Sequence, residues 1–129
     1  MRPMDPVIAR FPAQPASVTA ARRFVTDAVI EAGALDLLDD ARLLVSELAT
    51  NAVVHARTEF SVTVHAGPGG VHVEVQDGDE RVPPRGSASP SGLAGGESGR
   101  GLQLLEAAAT DWGYRRTDHG KAVWFRLER

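Results

Sequence analysis

At 129 residues the chain is long enough for one domain with a single core and leaves little room for a second. Hydrophobic residues make up 43% and charged residues 24%, the balance of a folded globular protein rather than a disordered one. Net charge is -3 with no basic run longer than Arg22-Arg23 or Arg115-Arg116, which argues against nucleic acid as the main partner, and the lack of cysteine excludes disulfides and thiolate metal sites.

Residues 1–15 are broken by Pro3, Pro6, Pro12 and Pro15 and read as a flexible or extended lead-in without the apolar core of a signal peptide. A single domain is expected over 16–129. Ser17 is placed to cap a first helix, with Ala20, Ala21, Phe24, Val25, Ala28 and Val29 at helical spacing and Gly33 to end it. A second helix is expected from about Asp39 to Ala56, with Leu44, Val45, Leu48, Ala49, Ala52, Val53 and Ala56 as its apolar stripe. The pattern then changes to period two. Phe60, Val62, Val64 and Ala66 alternate with polar residues, as do Val71, Val73 and Val75 after the Gly67-Pro68-Gly69-Gly70 turn, which predicts a hairpin ending in Asp77-Gly78-Asp79. Residues from about 80 to 98 are rich in Pro, Gly and Ser, the composition of a functional or disordered loop. A helix from about Leu102 to Thr110 comes next, buried through Leu102, Leu105 and Ala109. Two strands, Asp111 to Thr117 and Lys121 to Leu127, close the chain around an Asp118-His119-Gly120 turn. This order predicts an α+β fold: a two-layer sandwich in which helices cover one face of a mixed, mostly antiparallel sheet. No membrane span of roughly 20 apolar residues is present, and a cytoplasmic protein is expected.

Four features carry chemistry. Glu47 and Asn51 stand four residues apart, so an acid that can take a proton and an amide oxygen that can ligate a hard cation share one helical face. His55 continues the same border of the apolar stripe. Asp77, at a strand end, can accept a hydrogen bond from an exocyclic amino group; taken alone, a turn residue is the better-supported reading. Gly99-Arg100-Gly101-Leu102 opens a helix, where glycine backbone and free N–H groups suit phosphate, although alone it reads equally as a glycine hinge. Gly120-Lys121 precedes the last strand, and there a hairpin turn is the stronger reading. No phosphate loop of the Gly-x-x-x-x-Gly-Lys-Ser/Thr form occurs. His55, His65, His72 and His119 lack metal-binding spacing, and Ser46 reads as a helix residue with no Ser-His-Asp arrangement near it.

In this order, the features resemble the ATP-binding domain shared by gyrase, the 90 kDa heat-shock chaperone, histidine kinases and the mismatch-repair ATPases (the GHKL, or Bergerat, fold). Within it the chain looks like the short bacterial anti-sigma-factor serine kinases. Glu47-Leu48-Ala49-Thr50-Asn51-Ala52-Val53-Val54-His55-Ala56 is the most specific stretch, and Gly99-Arg100-Gly101-Leu102, Trp112-Gly113 and Gly120-Lys121-Ala122-Val123-Trp124 come after it in order. The resemblance implies ATP and Mg²⁺ as cofactors: Asn51 as the Mg²⁺ ligand, Glu47 as the base, Asp77 on the adenine amino group, and Gly99 and Gly101 backbones on phosphate. Arg100 would offset charge on the transferring group, beside Leu102 in the same motif, and a lid would span about 80–98. The implied substrate is an anti-sigma-factor antagonist; sequestration of a sigma factor and homodimerisation are further expectations. The catalytic domain of a histidine kinase is not expected, since no long helix here presents a phosphoacceptor histidine.

The wider superfamily has Asp-x-Gly-x-Gly where this chain has Asp77-Gly78-Asp79-Glu80-Arg81. Both later glycines are replaced, and Asp79 and Glu80 add negative charge near a polyanionic ligand. Weaker nucleotide affinity is the expected consequence. That departure favours a second reading, a regulatory binding module that holds partners without useful catalysis, whereas the intact Glu47 and Asn51 favour the kinase.

Overall fold

The computed structural model describes residues 5–79 and 98–129. Five strands form one sheet in the order β1-β2-β3-β5-β4: β1 (Val7–Phe11), β2 (Phe60–Gly67), β3 (Gly70–Asp77), β4 (Asp111–Arg116) and β5 (Lys121–Glu128). Every pairing is antiparallel, so the sheet expected to be mostly antiparallel is wholly so among the described residues. Period-two alternation sends Val62, Val64, Val71, Val73, Val75, Phe125 and Leu127 to one face, where they are buried. Three helices cover that face. Helix α1 (Ala16–Glu31) lies over β1 and β2, α2 (Leu38–Thr50) over β3 and β5, and α3 (Ser98–Ala108) against α2 and β4. The other face of the sheet is left uncovered by the described elements, with His72 stacked on Trp124 at 5.3 Å.

The lead-in contains an edge strand. Pro6 and Pro12 bracket β1, as suits an edge where no ladder donor is needed on the outer side. Phe11 holds it down, stacking on Phe60 at 5.4 Å and meeting Phe24 of α1 edge-on at 6.2 Å. Ser17 is a correction: α1 starts at Ala16 after Pro15, and Ser17 is a buried residue of the first turn that caps nothing. Gly33 ends the helix as expected. With φ at +75° it allows a Schellman closure, in which Gly33 N–H donates to Ile30 O and Ala34 N–H to Val29 O.

The second helix begins with Asp39 and Asp40 in its first turn, where the helix dipole favours acid. Its last six residues, Asn51–Ala56, are wound as a π turn closed by Arg57 N–H donating to Ala52 O at 2.8 Å, with Arg57 left-handed at φ 58°. A physical cause lies just upstream. Ser46 and Thr50 bond their hydroxyls back to the carbonyls of Arg42 and Ser46, at 2.6 and 2.7 Å, which loosens the helical ladder. Ser46 also accepts from Arg22 Nε at 2.8 Å and ties α2 to α1, a structural role in keeping with its reading as a helix residue.

Helix α3 starts at Ser98, four residues before the predicted Leu102, so Gly99, Arg100 and Gly101 are helical rather than a preceding loop. Leu105 is fully buried and Ala109 half-buried just past the helix end. The lid expected at 80–98 falls outside the described residues except for Ser98, as do the side chains on which the roles of Arg100 and Leu102 depend. No helix among the described residues is long and apolar enough to cross a membrane.

Candidate functional site

The site is built where the C-terminal end of the second helix meets one end of the sheet. Glu47 and Asn51 bracket the last regular turn of α2 and are both half-buried. Among the described residues neither side chain has a hydrogen-bond partner, so nothing described takes up the capacity of the Glu47 carboxylate or the Asn51 carboxamide at the rim of the core. Asn51 opens the π turn, a distortion that recurs at functional sites. The turn also rotates the residues beyond Asn51. His55 therefore does not continue the line of Glu47 and Asn51 as α-helical spacing predicts, and it is half-buried with interactions of its own.

The π turn delivers the chain to Thr58, whose hydroxyl accepts from the Gly78 N–H at 2.8 Å. This contact fastens the Asn51 end of the helix to the Asp77-Gly78-Asp79 corner, 20 residues away. Asp77 lies on the helix-facing side of β3, in register with Val71, Val73 and Val75, and is the only charged residue among the buried ones described. A buried carboxylate needs partners. The Asp79 N–H donates to Asp77 Oδ1 at 2.9 Å, and Lys121 Nζ donates to Oδ1 and Oδ2, each at 3.0 Å. The turn reading and the ligand reading of Asp77 are therefore compatible: Oδ1 makes the Asx turn, while Oδ2 accepts only from Lys121 among the described residues. Lys121 also stands 3.9 Å from Asp79, too far for a hydrogen bond but close enough for charge attraction.

Gly120 makes this arrangement possible. A Cβ there would lie 1.9 Å from Asp77 O and 2.7 Å from Gly78 Cα, so the β4–β5 turn packs backbone to backbone against the end of β3. The hairpin-turn reading of Gly120-Lys121 holds for the glycine and is incomplete for the lysine. Sequence reasoning missed Thr58 and the pairing of Lys121 with Asp77. The signal for the second was a lysine opening a strand whose neighbour ends in Asp77, and it requires the β3–β5 register to be known.

The third component is the start of α3. Gly99, Arg100 and Gly101 occupy its first turn, whose leading N–H groups have no partner within a helix and so suit an anion. The helix packs against both α2 and the π turn, which brings its elements to the Asn51 side of the molecule. Taken together, a cation-competent amide, a carboxylate that no described residue bonds, a buried acceptor with an attached ammonium and a helix start are groups that suit a nucleotide and its metal ion. His65, His72 and His119 form no metal-holding cluster among the described residues.

Comparison with known proteins bears on the family and the fold. The family model described as a histidine kinase-like ATPase domain matches residues 11–127, nearly the whole chain. No curated protein matches it.

Proposed function

The chain belongs to the histidine kinase-like ATPase domain family, which implies ATP binding, and on that premise we propose that it is a Mg²⁺- and ATP-dependent protein serine/threonine kinase of the anti-sigma-factor type. Its substrate is a serine or threonine hydroxyl on an anti-sigma-factor antagonist, and it acts in the cytoplasm. The observation that carries the reading is the half-buried pair Glu47 and Asn51, which no described residue hydrogen-bonds, together with the buried carboxylate of Asp77. A binding module would have no use for a half-buried acid and amide, one helical turn apart, that no described residue bonds.

The residues fit both cofactors. Mg²⁺ keeps several waters and takes one or two protein oxygens, so the Asn51 carboxamide with nucleotide phosphates suffices. When bound, Mg²⁺ neutralises charge on the phosphates during transfer. Asp77 would hold the adenine amino group, and the first-turn N–H groups of α3 would hold phosphate. Glu47 would accept the proton of the attacking hydroxyl, whose oxygen would bond to the γ-phosphorus while the bond from that phosphorus to the ADP oxygen breaks. Sequestration of a sigma factor and formation of a homodimer belong to the same proposal.

The second reading, a regulator that holds partners without catalysis, draws on Asp79 in place of a superfamily glycine. Two variants separate them. Asn51→Ala should remove the thermal stabilisation given by ATP with Mg²⁺, while melting close to the wild type without ligand. Glu47→Gln should keep that stabilisation and lose on the order of a hundredfold or more in phosphate transfer, about 3 kcal/mol of transition-state stabilisation. Absence of any shift with millimolar ATP and Mg²⁺ on the wild type would sink nucleotide binding altogether. Binding without transfer to the cognate antagonist would leave the regulator.

A further inference from the structure

Strand register sets Asp77 opposite Lys121, and both side chains leave the sheet on its helix-facing side. They face the gap between the layers rather than solvent, with side-chain exposures of 6% and 13%. This is the end of the sheet to which Thr58 fastens the Asn51 turn. An ammonium carries three protons. Two are directed at the Asp77 oxygens, and among the described residues no hydrogen-bond acceptor takes the third. Asp77 likewise keeps acceptor capacity on Oδ2 after Lys121 and the Asp79 N–H are counted. The pair thus keeps one acceptor position and one donor position on adjacent side chains.

We propose that Lys121 is a second base-reading residue, donating a hydrogen bond to the ring nitrogen that lies beside the amino group accepted by Asp77. The inference rests on the nucleotide reading above and adds its specificity. On the adenine edge the amino group at C6 is a donor and the adjacent N1 an acceptor, the complement of Oδ2 and Nζ. Stability alone is a weak reason for such a pair, because burying two charges costs desolvation that two apolar side chains would not. Lys121 also answers the departure at Asp79. One ammonium between two carboxylates leaves the cluster with the net charge of a lone aspartate.

The test is calorimetric titration of the whole chain with ATP and with 1-deaza-ATP, which lacks only the ring acceptor, both with Mg²⁺. The wild type is expected to bind 1-deaza-ATP about tenfold or more weakly, the loss typical of one hydrogen bond to a charged group. Lys121→Met should weaken ATP by a similar factor and bind the two nucleotides alike. Equal binding of both by the wild type overturns the proposal without recourse to any variant. So does a Lys121→Met protein, folded by its melting curve, that still discriminates. In either case ATP binding itself survives; a wild type that binds neither nucleotide removes the nucleotide reading and the proposal together.

Discussion

Replacing Gly120 by alanine tests whether the site depends on backbone-to-backbone contact at the sheet end. The new Cβ would sit 1.9 Å from Asp77 O and 2.7 Å from Gly78 Cα, and both obstacles are main chain. Carbon–oxygen contacts are comfortable only from about 3.3 Å, so the turn or the end of β3 must move by more than an ångström. The turn is held by Thr117 N–H donating to Gly120 O at 2.9 Å, and Asp77 by Lys121, so neither side gives freely. Overpacking commonly costs about 1–3 kcal/mol, and fixed backbone on both sides places this case near the upper end. At roughly 4 °C per kcal/mol for a domain of this size, Tm should fall by about 10 °C. Gly69→Ala is the control, since a Cβ there meets nothing within 4 Å, and its effect should stay within about 0.5 kcal/mol. Thermal unfolding followed by circular dichroism reads both. A Gly120→Ala protein that melts no lower than Gly69→Ala would refute the close-packed corner.

Two further substitutions probe the frame. Phe11→Ala removes the ring that clamps β1 between Phe24 and Phe60 and should cost about 2–3 kcal/mol, below the value for a fully buried ring because Phe11 is half-buried. Amide exchange should then rise selectively in Val7–Phe11; uniform protection of that strand would show that Phe11 is not its anchor. Burial beside Trp124 lowers the His72 pKa, partly opposed by the Glu74 carboxylate, with smaller lowering contributions from His65 and Arg126. The unfolded chain therefore takes up a proton near the ordinary value of about 6.5 before the folded protein does, so the stability tied to neutral His72 is complete above that pH and declines as pH falls below it. His72→Phe should flatten this part of the stability–pH curve, and identical slopes for variant and wild type would exclude His72 as its source.

The fold is legible wherever burial writes a period into the sequence. Val62, Val64, Val71, Val73 and Val75 alternate because one face of the sheet is packed and the other is not, and the Glu47–Asn51 spacing survives because the helix is still regular up to Thr50. Strand β1 is hidden because five residues between prolines show little period, and its order comes from a partner strand more than 40 residues away. The π turn is hidden for another reason. Its apolar positions look α-helical, and only the hydrogen bond from Arg57 to Ala52 reveals the extra residue in the turn. The start of α3 is displaced from its expected position because two glycines in a helix's first turn resemble a loop by propensity alone.

Asp79 shows that the charge around a local motif is also set by residues elsewhere in the chain. In the sequence, Asp79 adds a negative charge next to the carboxylate expected to hold the base, which points to weaker affinity. In the folded protein the ammonium of Lys121 stands 3.0 Å from Asp77 and 3.9 Å from Asp79, supplied by a strand that is adjacent in space and 44 residues on in the chain. Gly120 is what lets that strand begin so close to the corner. On the proposed reading, the side chains of Asp77 and Lys121 supply donor and acceptor capacity at a corner where the superfamily has glycine backbone. A carboxylate held this way is fixed in direction by the Asp79 N–H and Lys121 before any ligand arrives, so a ligand that binds it need not order it.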